Sequence, residues 1–299
     1  MLNLLARIVG IGEILWDVFP DSERLGGATF NFSVNARRLG EEVTFVSAVG
    51  DDERGRAARL RAESLGLDPD FIQVVPGAPT GWVSVGLDSQ GHPDFKIHRP
   101  AAYDRVILDE PVLARLAAWN PDWVYYGTLH QMEPASRAVT RKLLEALPAA
   151  RKFYDVNLRR DCYTPELVFQ LLSEADVVKL NDDEVAAVEA MAGSAAASFR
   201  QFTAEWSRRM GWRAVAVTRG KDGCAVRIGE DYAEAAGHPI AVVDTVGAGD
   251  AFAAAFLCGL SQNWSAARTA DFANRLGAVV ASRAGGLPEW NTGDLWKLP

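Results

Sequence analysis

Cysteine is scarce. Cys162, Cys224 and Cys258 are the only three in 299 residues, they lie far apart, and none belongs to a C-x-x-C pair. That spacing excludes a disulfide frame and a thiolate zinc site and fits reduced thiols. Histidine is nearly as sparse: the chain has four, none in metal-ligand spacing. No apolar run approaches the length that spans a bilayer. Met1 to Val9 carries one basic residue beside an apolar stretch too short for a secretory leader. A cytoplasmic protein without a membrane partner is therefore expected. The net charge of −8 argues against a nucleic-acid partner, which needs a strongly basic surface. Gly10 and Gly12 suggest a dinucleotide loop, but Leu15 stands where the third glycine of G-x-G-x-x-G belongs, and a nicotinamide enzyme is set aside. Internal repeats and low-complexity linkers are also missing.

What is present is ordinary for a soluble protein, with 48% apolar and 23% charged residues. The length suits one large α/β domain with a small appendage. Leu4 to Ile11 reads as a buried first strand and Val43 to Val49 as a second. Between them a helix opens at Thr29, a candidate N-cap, and stops at Gly40. Glu53 starts another helix that ends at Gly66, with Asp51 and Asp52 as capping acids. From Trp123 onward strands and helices alternate. Strands are expected at 123–126, 152–156, 176–180, 214–217 and 224–228, with helices over 134–147, 165–174, 182–191 and 199–210. Such alternation predicts a doubly wound, mainly parallel central sheet with helices on both faces. Residues 81–87 and 94–98 interrupt it with alternating segments around the turn Asp88-Ser89-Gln90-Gly91, a β-hairpin signal.

The chain is organised around Asp244-Thr245-Val246-Gly247-Ala248-Gly249-Asp250-Ala251-Phe252. The β-branched run Ile240 to Val243 is expected to enter it as a strand, and the alanine-rich run Ala251 to Leu260 to leave it as a helix. Gly247 and Gly249 let backbone N–H groups turn inward, and the new helix adds its dipole at the same point. The result is an anion hole suited to a phosphoryl group in transfer. Asp250, in its middle, suits the abstraction of a hydroxyl proton, or reads simply as a helix cap. Asp17, at the end of the first strand, reads equally as a ligand-binding carboxylate or as a turn residue before Pro20.

D-T-x-G-A-G-D-A-F strongly resembles the C-terminal signature of the ribokinase-like sugar kinases, the phosphofructokinase B family. Gly26-Gly27 with Asn31 is similar to that family's N-terminal sugar motif, G-G-x-x-x-N. Asp155-Val156-Asn157-Leu158-Arg159 looks like its D-x-N-x-R motif, Asn181 to Glu184 like N-x-x-E, and Thr218 to Gly223 like its T-x-G-x-x-G nucleotide loop. The resemblance runs from about residue 9 to 288, with the motifs in order. It implies ATP-dependent phosphorylation of a sugar hydroxyl. Asp250 would be the base, the amides of Gly247, Ala248 and Gly249 the anion hole, and Arg159 would be aimed at the phosphoryl path or the sugar. Asp17, Gly26, Gly27 and Asn31 would bind the sugar. Arg99 reads either as a further sugar ligand or as half of a salt bridge. Asn181, Thr218, Gly220, Gly223 and Asn274 would hold the nucleotide, and Lys221 either touches phosphates or faces solvent. Glu184 would order Mg²⁺ through water. Asp244, with the 284–288 loop, is where some relatives hold a monovalent cation such as K⁺. One kinase domain over 1–299 is expected, with a discontinuous β lid from about 13–24 and 79–103. Trp82 or Phe95 on that lid would either support a homodimer or pack on the domain below.

Gly12-Glu13-Ile14-Leu15-Trp16-Asp17, followed by Leu25-Gly26-Gly27-Ala28 and by Ala101-Ala102-Tyr103-Asp104, is most similar to bacterial fructokinases. That implies fructose as acceptor and fructose 6-phosphate as product. A 2-keto-3-deoxygluconate kinase, a ribose or nucleoside kinase, and a non-catalytic sugar sensor are the alternatives.

Overall fold

The computed structural model of the chain describes residues 5–87 and 93–298. Leu4 and the turn expected at Asp88 to Gly91 lie outside the described residues. The first half runs β1 (Arg7–Ile11), β2 (Leu15–Val18), β3 (Glu23–Gly26), α1 (Ala28–Arg38), β4 (Glu42–Gly50) and α2 (Glu53–Ser64). Then come β5 (Ile72–Val75), β6 (Gly81–Leu87), β7 (Pro93–His98), α3 (Glu110–Trp119), β8 (Trp123–Gly127), α4 (Thr128–Gln131) and α5 (Pro134–Ala146). The second half continues with β9 (Arg151–Asp155), α6 (Pro165–Glu174), β10 (Val177–Asn181), α7 (Asp182–Ala192), α8 (Phe199–Met210) and β11 (Ala214–Thr218). It closes with β12 (Cys224–Ile228), β13 (Asp231–Ala235), α9 (Ala248–Ser261), α10 (Ala266–Ala281) and a last turn, α11 (Thr292–Leu295).

Nine strands form one sheet in the order β13-β12-β11-β10-β9-β8-β1-β4-β5. It is parallel from β11 to β5, while β12 and β13 add to its edge as antiparallel strands. The middle strands are buried on both faces, which is why they read as continuous apolar runs. Val9, Val124, Val178 and Val215 point into one core with α5, α6 and α8. Tyr125, Phe153, Ala214 and Val226 point into the other, with α1, α9 and α10. On that second face Phe32 of α1 stacks on Tyr125, with ring centroids 3.5 Å apart. Helix α9 is buried along almost its whole length, and its alanines let α1 and α10 approach closely on either side.

Local chemistry sets the helix ends. Asp52, Thr164, Asn181, Ser198 and Ser265 each accept a backbone N–H as N-cap, with Pro165 following Thr164 at the first helical position. Gly193 and Gly211 end α7 and α8 in the left-handed conformation.

A second sheet, in the order β3-β2-β6-β7, lies apart from the first. Within it β2 and β6 are parallel and the other pairs antiparallel. Trp82 stacks on His98 at 3.6 Å and lies under the guanidinium of Arg54 from α2, so it packs against its own sheet and against that helix, while Phe95 is 47% exposed. Asp52 joins this sheet to the main one. Its carboxylate caps α2 through Gly55 N–H and also accepts the N–H and hydroxyl of Thr80, next to β6. Asp51 instead pairs with Arg56 at the surface.

Two expectations are corrected. Ile240 to Val243 is not a strand. The segment is coil, Val242 and Val243 are 59% and 60% exposed, and the N–H of Val243 bonds to Ala281 at the end of α10. β propensity describes fit to a half-buried pleated surface, and no neighbouring strand is there to supply it among the described residues. Thr29 is not an N-cap either: Gly27 holds that position, without a side-chain bond of its own.

Asp52→Ala removes the α2 cap and leaves the Thr80 donors unpaired, so unfolding should become easier by about 2 kcal/mol. Urea denaturation checks this, and an unchanged midpoint would show that this tie between the sheets carries no stability.

Candidate active site

The carboxyl ends of β1, β9, β10 and β11 lie on one edge of the main sheet, where parallel α/β folds gather ligands. Helix α9 starts over this edge. Gly247 has φ 77°, and a Cβ there would stand 2.1 Å from the Gly286 carbonyl oxygen. Only glycine fits, so the 284–286 segment presses directly on the turn. Of the amides expected in the anion hole, that of Ala248 donates to Thr245 O at 3.3 Å, a long bond that a ligand oxygen can displace.

Asp250 lies in the first turn of α9 and is 8% exposed. Its Oδ2 accepts Nδ2 of Asn31 at 2.9 Å. The residue of the sugar motif and the candidate base are thus directly bonded across 219 residues of chain. Burial pushes the Asp250 carboxyl up to about 7, and the Asp155 carboxylate adds to the shift. The Asn31 amide, Lys179 and Arg159 pull it down. A carboxylate with a pKa near neutrality is matched to general-base work.

Asn31 Oδ1 is buried and accepts no hydrogen bond. A Cβ on Gly26 would stand 3.2 Å from Asp17 Oδ2 and 3.9 Å from Asn31 Oδ1, so both side chains converge over that glycine. Asp17 is half-buried, and burial raises its carboxyl to about 6 against the pull of Arg159. Asp17, Gly26, Gly27, Asn31 and Asp250 therefore meet in one place. Arg159 is exposed on the loop after β9, and its charge is felt at Glu13, Asp17 and Asp250.

Glu13 does the work expected of Thr29. Its Oε1 accepts Ala28 N–H at 3.0 Å and Thr29 N–H at 3.5 Å, capping α1 from the loop between β1 and β2. Gly27 has φ 111°, and a Cβ on it would meet the Glu13 carbonyl at 2.6 Å. The double-glycine turn is therefore moulded onto Glu13.

Beneath the anion hole lies a buried ion pair that the sequence did not announce. Lys179 Nζ bonds both Asp155 oxygens at 3.0 and 3.3 Å, and Tyr125 OH donates to the same carboxylate at 2.9 Å. Burial opposes the charge on Lys179, but Asp155, Glu184 and Asp250 outweigh it and hold the amine protonated. Its Nζ would be 3.2 Å from a Cβ on Gly249, immediately under the helix start. The one signal in the sequence was a lysine inside the apolar strand Val177-Val178-Lys179-Leu180, because a buried lysine needs a partner.

Asn181 and Glu184 form a capping box on α7, with bonds of 2.8 Å each way. The second oxygen of Glu184 accepts Leu158 N–H at 2.8 Å, which ties down the loop bearing Arg159. Thr218 ends β11, and Gly220 and Gly223 have positive φ. A Cβ on Gly223 would meet Ala235 O at 1.9 Å, so this loop packs on residues 235–237. Asn274 Nδ2 donates to Ala236 O at 2.7 Å, bringing α10 to the same region. Lys221 is exposed and faces Asp222 at 3.4 Å.

Two residues are engaged elsewhere. Arg99 pairs with Asp104 at 2.5 Å and donates to Leu129 O, so of its two readings the salt bridge is the one present. Asp244 bonds Arg24, which sequence reading left without a role.

The chain belongs to the pfkB family of carbohydrate kinases, whose profile matches residues 12–292. It is accordingly a phosphotransferase with a sugar acceptor. It is 31% identical over 271 residues to the fructokinase of Salmonella typhimurium, covering 86% of this chain and 85% of that one. Among solved structures it is similar to the Xylella fastidiosa fructokinase with bound ATP, at TM-score 0.82, 22% identity and 97% of both chains. A double mutant of the Vibrio cholerae O395 fructokinase, in a fructose, ADP and potassium ion bound form, superposes at TM-score 0.82, with 22% identity over 99% of both chains.

Since only the ionised base can take a proton, kcat/KM for the sugar should rise with pH through a value near 7. The groups facing Asp250 are Asn31 from α1, Tyr125 from β8, Asp155 and Arg159 at and after β9, and Lys179 from β10. Asn31→Ala removes a bond that stabilises the ionised form, so the acid limb should move to higher pH; a limb that stays in place would separate Asn31 from the titrating group.

Proposed function

We propose that the chain transfers the γ-phosphoryl group of ATP to fructose, giving fructose 6-phosphate and ADP. The observation that carries this reading is the Asn31–Asp250 bond, which sets a sugar-binding amide against a buried base at a helix start. The acceptor hydroxyl lies between Asn31, Asp17 and Asp250. Its oxygen attacks the γ-phosphorus, its proton goes to Asp250, and the bond from γ-phosphorus to the bridging oxygen of ADP breaks. The first amides of α9 and its dipole face the charge on the phosphoryl oxygens in transit, with Lys179 below and Arg159 at the side. The nucleotide lies over β10 and β11, along Asn181, Thr218, Gly220 and Gly223, with its base toward Asn274. The small sheet closes the site from water, which protects the phosphoryl group from hydrolysis.

Mg²⁺ fits a water-mediated position here. Both Glu184 oxygens already accept backbone N–H groups, yet each keeps a lone pair for a metal-bound water. When bound, the metal neutralises phosphate charge.

Of the two arginines that could take the carboxylate of an acid sugar, Arg99 and Arg159, Arg99 is committed to Asp104, which favours an uncharged sugar such as fructose at that position. The curated relative in Salmonella bears the fructokinase name as well. A homodimer through the small sheet would use the exposed Phe95, since Trp82 is engaged by His98 and by Arg54 of α2.

ADP release with Mg·ATP is measured against fructose, ribose, tagatose, ketodeoxygluconate and adenosine. Fructose should be turned over best, and Asp250→Asn should lower that rate by about 10³-fold. Turnover on ketodeoxygluconate alone would discard the substrate and keep the mechanism, and sugar binding without any turnover would favour a sensor. Arg99→Ala should leave the fructose KM nearly unchanged while destabilising the fold by about 3 kcal/mol, because Asp104 loses its partner in the interior. A large rise in KM with intact stability would restore Arg99 to the sugar site.

A further inference from the structure

Asp244 opens the signature, and with the 284–288 loop it is where the family resemblance allows a monovalent cation. The residues present do not fit one. Asp244 Oδ1 accepts the N–H of Val246 at 3.0 Å, and Oδ2 accepts the N–H of Gly285 at 2.9 Å. Oδ2 also accepts Nη1 of Arg24 at 3.1 Å. The carboxylate therefore already has two amide donors and a full positive charge. An alkali cation added beside it would face the guanidinium at close range, a like-charge contact that the half-buried site screens only in part.

Arg24 belongs to β3, in the small sheet, and reaches across to the C-terminal loop. Its Cδ would lie 3.9 Å from a Cβ on Gly285, and its guanidinium covers the Phe19 ring at 5.0 Å. The pair is 44% and 21% exposed, so it is a weak device for stabilising the fold. Its position gives it another use. The loop that Asp244 fastens through Gly285 is the one whose next carbonyl, of Gly286, stands against Gly247. Neutralising Asp244 thus fixes the backbone behind the anion hole and, through it, the first turn of α9 with Asp250.

We infer that Arg24 is a built-in replacement for the monovalent cation, and that phosphotransfer by this chain is independent of K⁺ and Na⁺. Arg24 is a positioning residue in this scheme: it acts on the reaction through Asp244 and the 284–286 loop. The kinetic part of the test rests on the fructose reading above, whereas the thermal part does not.

The wild type, Arg24→Gln and Arg24→Lys are each assayed with fructose and Mg·ATP in KCl and in tetramethylammonium chloride at equal ionic strength. Their melting temperatures are recorded in the same two salts, without substrates. The wild type should show the same rate and the same Tm in both. Arg24→Gln should lose on the order of tenfold in kcat in tetramethylammonium, as expected for removing one fixed charge near the anion hole. K⁺ should restore most of that loss and raise the Tm of this variant, as a ligand of the folded state does. Arg24→Lys keeps the charge and should behave as the wild type. Saturable activation or thermal stabilisation of the wild type by K⁺ would overturn the inference. An Arg24→Gln enzyme indifferent to K⁺ in both readouts would overturn it too. Absence of turnover on fructose would count against the substrate and leave the two Tm arms to decide this point.

Discussion

A carboxylate deprived of water at the start of a buried helix is the constraint on which this structure depends. Asp250 is held toward its ionised form there by the dipoles of a helix start, one amide, Lys179 and Arg159, which offset part of the lost hydration. The amide is that of Asn31, which the Glu13-capped turn of α1 holds in place. The dipoles come from α9, whose alanine-rich body lets it sit deep between α1 and α10. The sugar motif, the signature and the second core are parts of one arrangement because each fixes a side of this carboxylate.

The charges below the turn follow from the same condition. Asp155, Lys179 and Glu184 converge with Asp250 in a region almost without solvent. Buried ion pairs seldom add net stability, since desolvation offsets most of the attraction. Here the pairing sets where charge stands. Asp155 keeps Lys179 cationic under the start of α9, and Lys179 in turn restrains the rise in the Asp250 pKa. Glu184 closes the ring by bonding backbone on both the nucleotide side, at Asn181, and the arginine loop, at Leu158.

The small sheet adds the remaining boundary. Its strands carry Asp17 and Arg24 toward the main sheet, and Asp52 with Thr80 anchors its base. Access to the site and the position of the C-terminal loop are thereby linked through one layer. An aromatic such as Trp82, which looks like an exposed contact when read alone, is held between His98 of that layer and Arg54 of α2.

Much of this was legible in the linear chain. Strand and helix alternation, caps such as Thr164-Pro165, and the glycines that need positive φ are local properties, and local steric rules fix them. The nine-residue signature carried the family resemblance for the same reason, since its glycines and its carboxylate lie within one turn. What the chain order hid were contacts between distant segments. Thr29 reads as a cap, but Glu13 arrives from the loop between β1 and β2 to do that work, and Ile240 to Val243 reads as a strand although the sheet stops at β13. Lys179 and Asp155, 24 residues apart, become partners only because β9 and β10 lie side by side. Arg99 has its partner five residues away, yet the pairing depends on the burial of Asp104, which no spacing reveals. Arg24 meets Asp244 across 220 residues. Conformational preference and hydrophobic period act over a few residues and can be read in sequence; charge pairing acts through space, and only the packed structure decides which charges meet.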